Sequence, residues 1–190
     1  MITFLGNSHS LKLYEDVIKA SRDDKDIVVS CQYPNKVPPS IVNNNICVNI
    51  HYGILPEFAG CNPIYWQMIK GNEAGVTLHY MNNKFDNGSV IDIQKIPVSN
   101  MTADEVYESL AQIGLDIFKK HYKGILHGTA PSSPMRQNGH YYNKTDVNFA
   151  HAKHLGKVFI DGQRVRALHF AGKQYPIVNI DGLDYELRKI

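Results

Sequence analysis

No stretch of this 190-residue chain is apolar for long enough to cross a bilayer as a helix, which excludes a membrane span of that kind. Cysteine is scarce. Cys31, Cys47 and Cys61 are odd in number and widely spaced, so they fit neither a disulfide framework nor a zinc site, and a reducing, cytoplasmic setting is expected. An excess of one charge is also missing. Twenty Lys and Arg face eighteen Asp and Glu, a formal net charge of +2 with no basic block, which argues against a nucleic-acid surface. The opening MITFLGNSHS lacks a basic flank, an apolar stretch and a cleavage site, so no signal peptide is expected. Repeats and low-complexity tracts are absent. Against these absences stands an apolar fraction of 43%, enough for one domain with a real core and a small appendage.

Along the chain, Ile2 to Leu5 reads as a buried strand, followed by helical spacing at Leu11, Tyr14, Val17 and Ile18. Ile27 to Val29 and Ile46 to Ile50 read as further strands, separated by the proline-rich loop Tyr33 to Pro39. This order predicts an α/β body with a mainly parallel, Rossmann-like sheet. Asn62-Pro63 predicts a helix start with Asn as the cap, and Gly71 its end. Val76 to Met81 and Ser89 to Val98 read as strands joined through Asp86-Asn87-Gly88. Thr102 to Glu105 is a capping box opening the longest helix, which runs to about Gly124. The body is therefore expected over residues 1–130 and a small β-rich module over 139–190. That module draws on Tyr141-Tyr142, Lys157 to Ile160, Arg164 to Phe170, Tyr175 to Ile180 and Asp184 to Leu187, with hairpin turns at Asp161-Gly162 and Asp181-Gly182.

The sharpest chemistry lies in Asn49-Ile50-His51-Tyr52-Gly53-Ile54-Leu55-Pro56, at the carboxyl end of a predicted strand, the edge where open α/β sheets bind ligands. Alternate strand residues share a face, so the Asn49 amide and the His51 imidazole project together. Asp86, in a glycine turn, is a carboxylate that can be brought to the same pocket. Singly, each has a plainer reading: a structural His, a backbone-bonded Asn, an Asp shaped by its turn.

Together with their neighbours these residues resemble the folate-dependent formyltransferase family, most closely its sugar N-formyltransferases. The likeness covers about residues 27 to 126: Asn49-x-His51 with Leu55-Pro56, Gly60 before the Pro63 helix carrying Trp66, the strand Gly75-Val76-Thr77-Leu78-His79, and Asp86-Asn87-Gly88 with Ile91 and Gln94 beyond. It implies a formyltransferase core with a C-terminal β-hairpin module, and Asn49, His51 and Asp86 as the catalytic set. It implies 10-formyl-tetrahydrofolate as co-substrate and no metal. An amine attacks the formyl carbon, Asn49 and protonated His51 donate to the resulting oxyanion, His51 moves protons, and Asp86 orients the imidazole and favours its charged form. The donor pocket is expected in loops matching Cys31 to Pro38 and Tyr80 to Asp86, with Gln32, Tyr33, Val37, Pro38, Leu55, Tyr80, Met81, Asn82 and Phe85 as its residues.

The acceptor implied is a nucleotide-linked amino deoxysugar of surface polysaccharide synthesis. Its expected contacts are Gly6, Asn7, Ser8, Tyr52, Asn62 and Tyr142, with no nucleic-acid or membrane partner and a homodimeric assembly. The Asn7-Ser8 turn reads equally as a phosphate site or a plain helix cap. The chain departs from the family in reaching Asn49 early, with room for about one βα unit of ~30 residues before its strand. The acceptor edge is thus trimmed, and another small amine, or an inactive folate- or nucleotide-binding module, stands as the alternative.

Overall fold

The computed structural model describes residues 1–20, 27–147, 162–170, 174–180 and 182–188. Strand β1 (Ile2–Gly6), helix α1 (Ser8–Ala20) and strand β2 (Ile27–Cys31) form a parallel βαβ start, and β3 (Ile46–His51) joins β2 in parallel after the short helix α2 (Pro39–Val42). Strand β4 (Ala59–Gly60) and helix α3 (Pro63–Lys70) follow, and then the direction reverses. Strand β5 (Glu73–Tyr80) runs antiparallel to β3, and β6 (Val90–Pro97) antiparallel to β5. The sheet order is β1-β2-β3-β5-β6, so the expected α/β body carries a mixed sheet, parallel on one side of β3 and antiparallel on the other.

Helix α4 (Ala103–His127) packs on β3, β5 and β6 and against α1. Its start follows the sequence signal: the Thr102 backbone N–H donates to Glu105 Oε2 at 2.8 Å. It runs one turn past Gly124 and stops at Gly128, which takes the left-handed φ of 66° that a glycine adopts without cost. Its buried face, including Leu110, Phe118 and Ile125, meets Tyr14 of α1 and Val48, Ile50, Val76 and Leu78 of the sheet in one core. Among the described residues no helix is long and apolar enough to cross a membrane.

The C-terminal part differs from expectation in one element. Strand β7 (Tyr141–Tyr142) pairs with β4, and β8 (Ile177–Ile180) with β9 (Leu183–Glu186) forms a hairpin with Gly182 at φ 86°, but Gly162–Leu168 is a helix, α5, not a strand. Alternation in Arg164-Val165-Arg166-Ala167 imitates a strand, yet Arg, Ala and Leu are good helix formers, and the contiguous pair Ala167 and Leu168 is buried together in the core. The Gln163 side chain donates to Met68 O and Gly71 O, supplying donors at the end of α3. The expected strand Lys157 to Ile160, and Asp161 and Asp181 of the expected turns, lie outside the described residues, while Gly162, expected in a hairpin turn, is the first residue of α5.

Candidate active site

The reversal at β3 builds the site. Antiparallel pairing sets Asn49 opposite His79 and His51 opposite Thr77. Past the end of β5, residues 81–89 loop back before β6. Gly88 lets that loop lie on the strand it has left, since a Cβ there would fall 1.6 Å from Tyr80 O. Asp86, at a positive φ of 46°, is thereby turned back toward β3.

Asp86 is the hub. Its Oδ2 accepts from the Gly60 N–H at 2.8 Å, and its Oδ1 accepts from Asn49 Nδ2 at 3.3 Å and faces His51 Nδ1 at 3.6 Å. The backbone holds His51 from its other side. Nε2 lies 2.8 Å from Phe58 O, and because a carbonyl only accepts, Nε2 carries the proton. Gly53 leaves room for that bond, since a Cβ there would stand 2.5 Å from His51 Nε2 and 2.6 Å from Phe58 O. Two buried side chains pin the intervening loop. Gln67 accepts from the Ile54 and Gly75 N–H groups and donates to Tyr52 O, while Thr77 donates to Gly53 O and accepts from Leu55 N–H.

His79 is the buried member of the group, 2% exposed, with Nδ1 2.7 Å from Tyr80 O and Nε2 3.2 Å from Asn49 Nδ2. Burial drives its pKa down to about 4, more than the attraction of Asp86 and the Tyr80 carbonyl restores, so the ring is neutral at pH 7. Burial pushes the Cys31 thiol up to about 11, which leaves it an inert core group.

Asn49, His51 and Asp86 line a cleft of about 440 Å³ at the end of β3, a size suited to a small ligand. Gln32, Tyr33, Val37, Met81, Asn82 and Phe85 line it as well, whereas Pro38, Leu55 and Tyr80 do not. Pro38 sits at the start of α2, Leu55 packs with Ala59 and Met135 in a small separate core, and Tyr80 packs on the main one. Lys36, Lys84 and Lys144 also reach the cleft, where Asp86 is the one acid among the described lining residues, and Lys36 Nζ lies 5.7 Å over the Phe85 ring.

A second cleft of about 390 Å³ shares Gln32, Asn62 and Pro63 with the first and includes Tyr52 and Tyr107. Asn62 stands at the cap position of α3 in the left-handed conformation with no side-chain cap bond, so its amide is available to both clefts. Tyr142 does not face either cleft: it is buried and stacked on Trp66 at 4.5 Å, and its neighbour Tyr141 lines the first cleft instead. Gly6, Asn7 and Ser8 lie outside both. Asn7 Oδ1 accepts from Ser10 N–H at 2.8 Å as a helix cap does, while its amide nitrogen donates to the hydroxyl of Tyr107, a residue of the second cleft, and Gly6 is required because a Cβ would meet Cys31 O at 2.7 Å.

Sequence reasoning passed over His79 as a site residue, the Gly60 N–H and the three lysines, and of the pair Tyr141 and Tyr142 it chose the buried one. His79 closes the quoted run Gly75 to His79, but only the register of β3 and β5 sets it against Asn49. The lysines stand in loops, where no periodicity marks them.

A family model described as formyl transferase matches residues 9–120. A methionyl-tRNA formyltransferase of Lachnospira eligens is 29% identical over 137 residues, 70% of this chain and 42% of that protein, so the chain spans about two fifths of the length of such curated relatives. Among solved structures, a Mycobacterium tuberculosis protein with an inferred sugar N-formyltransferase activity superposes with a TM-score of 0.83 at 20% identity, covering 100% of this chain and 97% of that one. An N-formyltransferase from Helicobacter canadensis, in complex with folinic acid and dTDP-3-aminofucose, superposes with a TM-score of 0.73 at 19% identity, covering 95% and 83%.

Proposed function

The chain belongs to the formyl transferase family, and we propose that it moves a formyl group from 10-formyl-tetrahydrofolate to the amine of a nucleotide-linked amino deoxysugar. The observation that carries this is the convergence of Asn49, His51 and Asp86 on one cleft, through contacts of 3.3 and 3.6 Å to a single carboxylate oxygen. The cleft suits the donor. Val37 and Met81 offer apolar contact to a flat ring, and Lys36, Lys84 and Lys144 offer cations to a carboxylate-bearing tail.

The donor supplies an activated one-carbon unit at the formate level, so the transfer is an acyl exchange with no redox change; the protein's residues handle protons and charge. With Nε2–H committed to Phe58 O, Nδ1 is the basic nitrogen of neutral His51. It takes the proton the attacking amine sheds, and the Asp86 carboxylate stabilises the imidazolium so formed. The charged ring then stabilises negative charge developing on the formyl oxygen and returns the proton to the folate nitrogen that leaves.

The near-complete overlap with a protein of inferred sugar N-formyltransferase activity and the small net charge favour a sugar nucleotide. Sequence similarity to methionyl-tRNA formyltransferases favours a second acceptor, methionyl-tRNA. Incubating the protein with the formyl donor and a panel of aminosugar nucleotides, with methionyl-tRNA as a separate arm, decides between them. A mass gain of one formyl group on a sugar nucleotide is expected. His51→Asn is expected to cut the rate by about 100-fold or more, the range for losing a positioned acid–base group. Folate binding with no transfer to any acceptor sinks the catalytic reading.

A further inference from the structure

We propose that His79 is a positioning residue that locks the Asn49 side chain with its carbonyl oxygen toward the cleft, so that Asn49 accepts a hydrogen bond from the incoming amine and does not donate one to the formyl oxygen. The catalytic half of this rests on the formyl-transfer reading; the orientation itself does not.

A count of protons fixes the orientation. Tyr80 O, 2.7 Å from His79 Nδ1, only accepts, so Nδ1 carries the hydrogen. The ring is buried and neutral, which leaves Nε2 a bare acceptor. Asn49 Nδ2, 3.2 Å away, is therefore the donor of that contact. The same Nδ2 lies 3.3 Å from Asp86 Oδ1, and an ionised carboxylate only accepts. An amide nitrogen has two hydrogens, and both are now assigned. Turning the amide over would set its oxygen against a bare ring nitrogen and a carboxylate, two repulsions in place of two bonds. Asp86 cannot drift to relieve them, because Gly60 N–H holds its other oxygen at 2.8 Å. Among the described residues no donor reaches Asn49 Oδ1, and Asn49 lines the cleft.

The consequence for chemistry is specific. An attacking amine must aim its lone pair at the formyl carbon, and the remaining N–H bonds set that aim. A fixed carbonyl accepting one of them orients the nucleophile, and this is a positioning effect on the reacting atoms. His79 does this without touching substrate and without changing its own protonation state.

The experiment has two arms. Nitrogen-15 NMR of the histidine rings in the wild-type chain reads the tautomer, and is expected to show His79 protonated at Nδ1 and bare at Nε2 from pH 6 to pH 8. A proton at Nε2 overturns the proposal whether or not the protein is active. In the second arm, His79→Leu removes the acceptor and is expected to lower kcat by roughly 100-fold with little change in either KM, the scale of a small misplacement of a reacting group. His79→Gln, whose side-chain carbonyl can stand in for Nε2, is expected to restore most of that loss and to leave the pH profile of kcat unshifted. Wild-type kcat in His79→Leu overturns the proposal. If His79→Leu does not fold, the tautomer and the His79→Gln profile still decide. Failure of the wild-type chain to formylate any acceptor counts against the proposed function and leaves the orientation to the NMR.

Discussion

Hydrogen-bond donors and acceptors share very little space around Asp86, and the side chains that are absent matter as much as those present. Gly53 is the clearest case. Its hydrogen stands where a methyl group would meet His51 Nε2 at 2.5 Å and Phe58 O at 2.6 Å, so the bond that fixes the imidazole depends on a missing Cβ. Gly53→Ala is expected to cost about 1–3 kcal/mol, the usual penalty for overpacking a tight site, and to lower activity by releasing the ring. Denaturant unfolding and steady-state rates check both; unchanged stability with full activity would mean that the loop yields at no cost. Tyr141 and Tyr142 carry the same lesson in another form. Successive residues of a strand face opposite sides, so one of the pair had to be buried, but the choice between them was made by Trp66, on which Tyr142 stacks at 4.5 Å.

At the scale of elements, α3 does more than flank the sheet. Its Gln67, fully buried, satisfies three backbone groups of the turn after β3 and the start of β5. Gln67→Leu keeps the bulk and strands two N–H groups and one carbonyl away from water. At about 1–3 kcal/mol for each unsatisfied group, a loss of more than about 3 kcal/mol is expected in urea unfolding. A loss below about 1 kcal/mol would show that water reaches the turn. The elements with local signatures were legible. The cap at Thr102 and Glu105 marks α4, the apolar runs mark β1 to β3, and Gly182 marks the C-terminal hairpin. Helix α5 was not, because seven residues are too few for the period to distinguish itself, and its stability comes from docking on α3. Asn62 was legible as a helix boundary, and the family resemblance offered its side chain to the acceptor, but the left-handed backbone that leaves it uncapped was not legible.

For the whole molecule, buried and paired ionisable groups set the response to acid. His79 binds a proton at an ordinary value of 6.5 when unfolded and at about 4 when folded, so the unfolded chain takes up protons first as pH falls. Stability is therefore full above pH 6.5 and declines by about 3 kcal/mol down to pH 4, at 1.4 kcal/mol per pKa unit. Asp92 acts lower down. Its burial raises its pKa, but hydrogen bonds from Lys120, His121 and Gln94 outweigh that and hold it at about 2, so its contribution is full above 3.8 and is lost as pH falls toward 2. Thermal or urea unfolding of the wild type is expected to weaken steadily between pH 6.5 and 4, and His79→Gln to flatten that interval. Equal slopes in the two proteins would rule out a neutral, buried imidazole.

The sequence alone determined what depends on nearby residues: helix starts and stops, strand periodicity, the shared face of Asn49 and His51, and the glycine turn that carries Asp86. Those properties arise within about ten residues of chain, where caps, turns and alternation act. Only the tertiary structure decided which distant residues meet. The reversal of β5 against β3 puts His79 opposite Asn49, thirty positions away, and the loop beyond it returns Asp86 to within 3.6 Å of His51. The hydrophobic pattern fixes which face of each strand is buried, but β3 and β5 are joined by no tight turn, so their register is settled only when both faces pack and the connection closes.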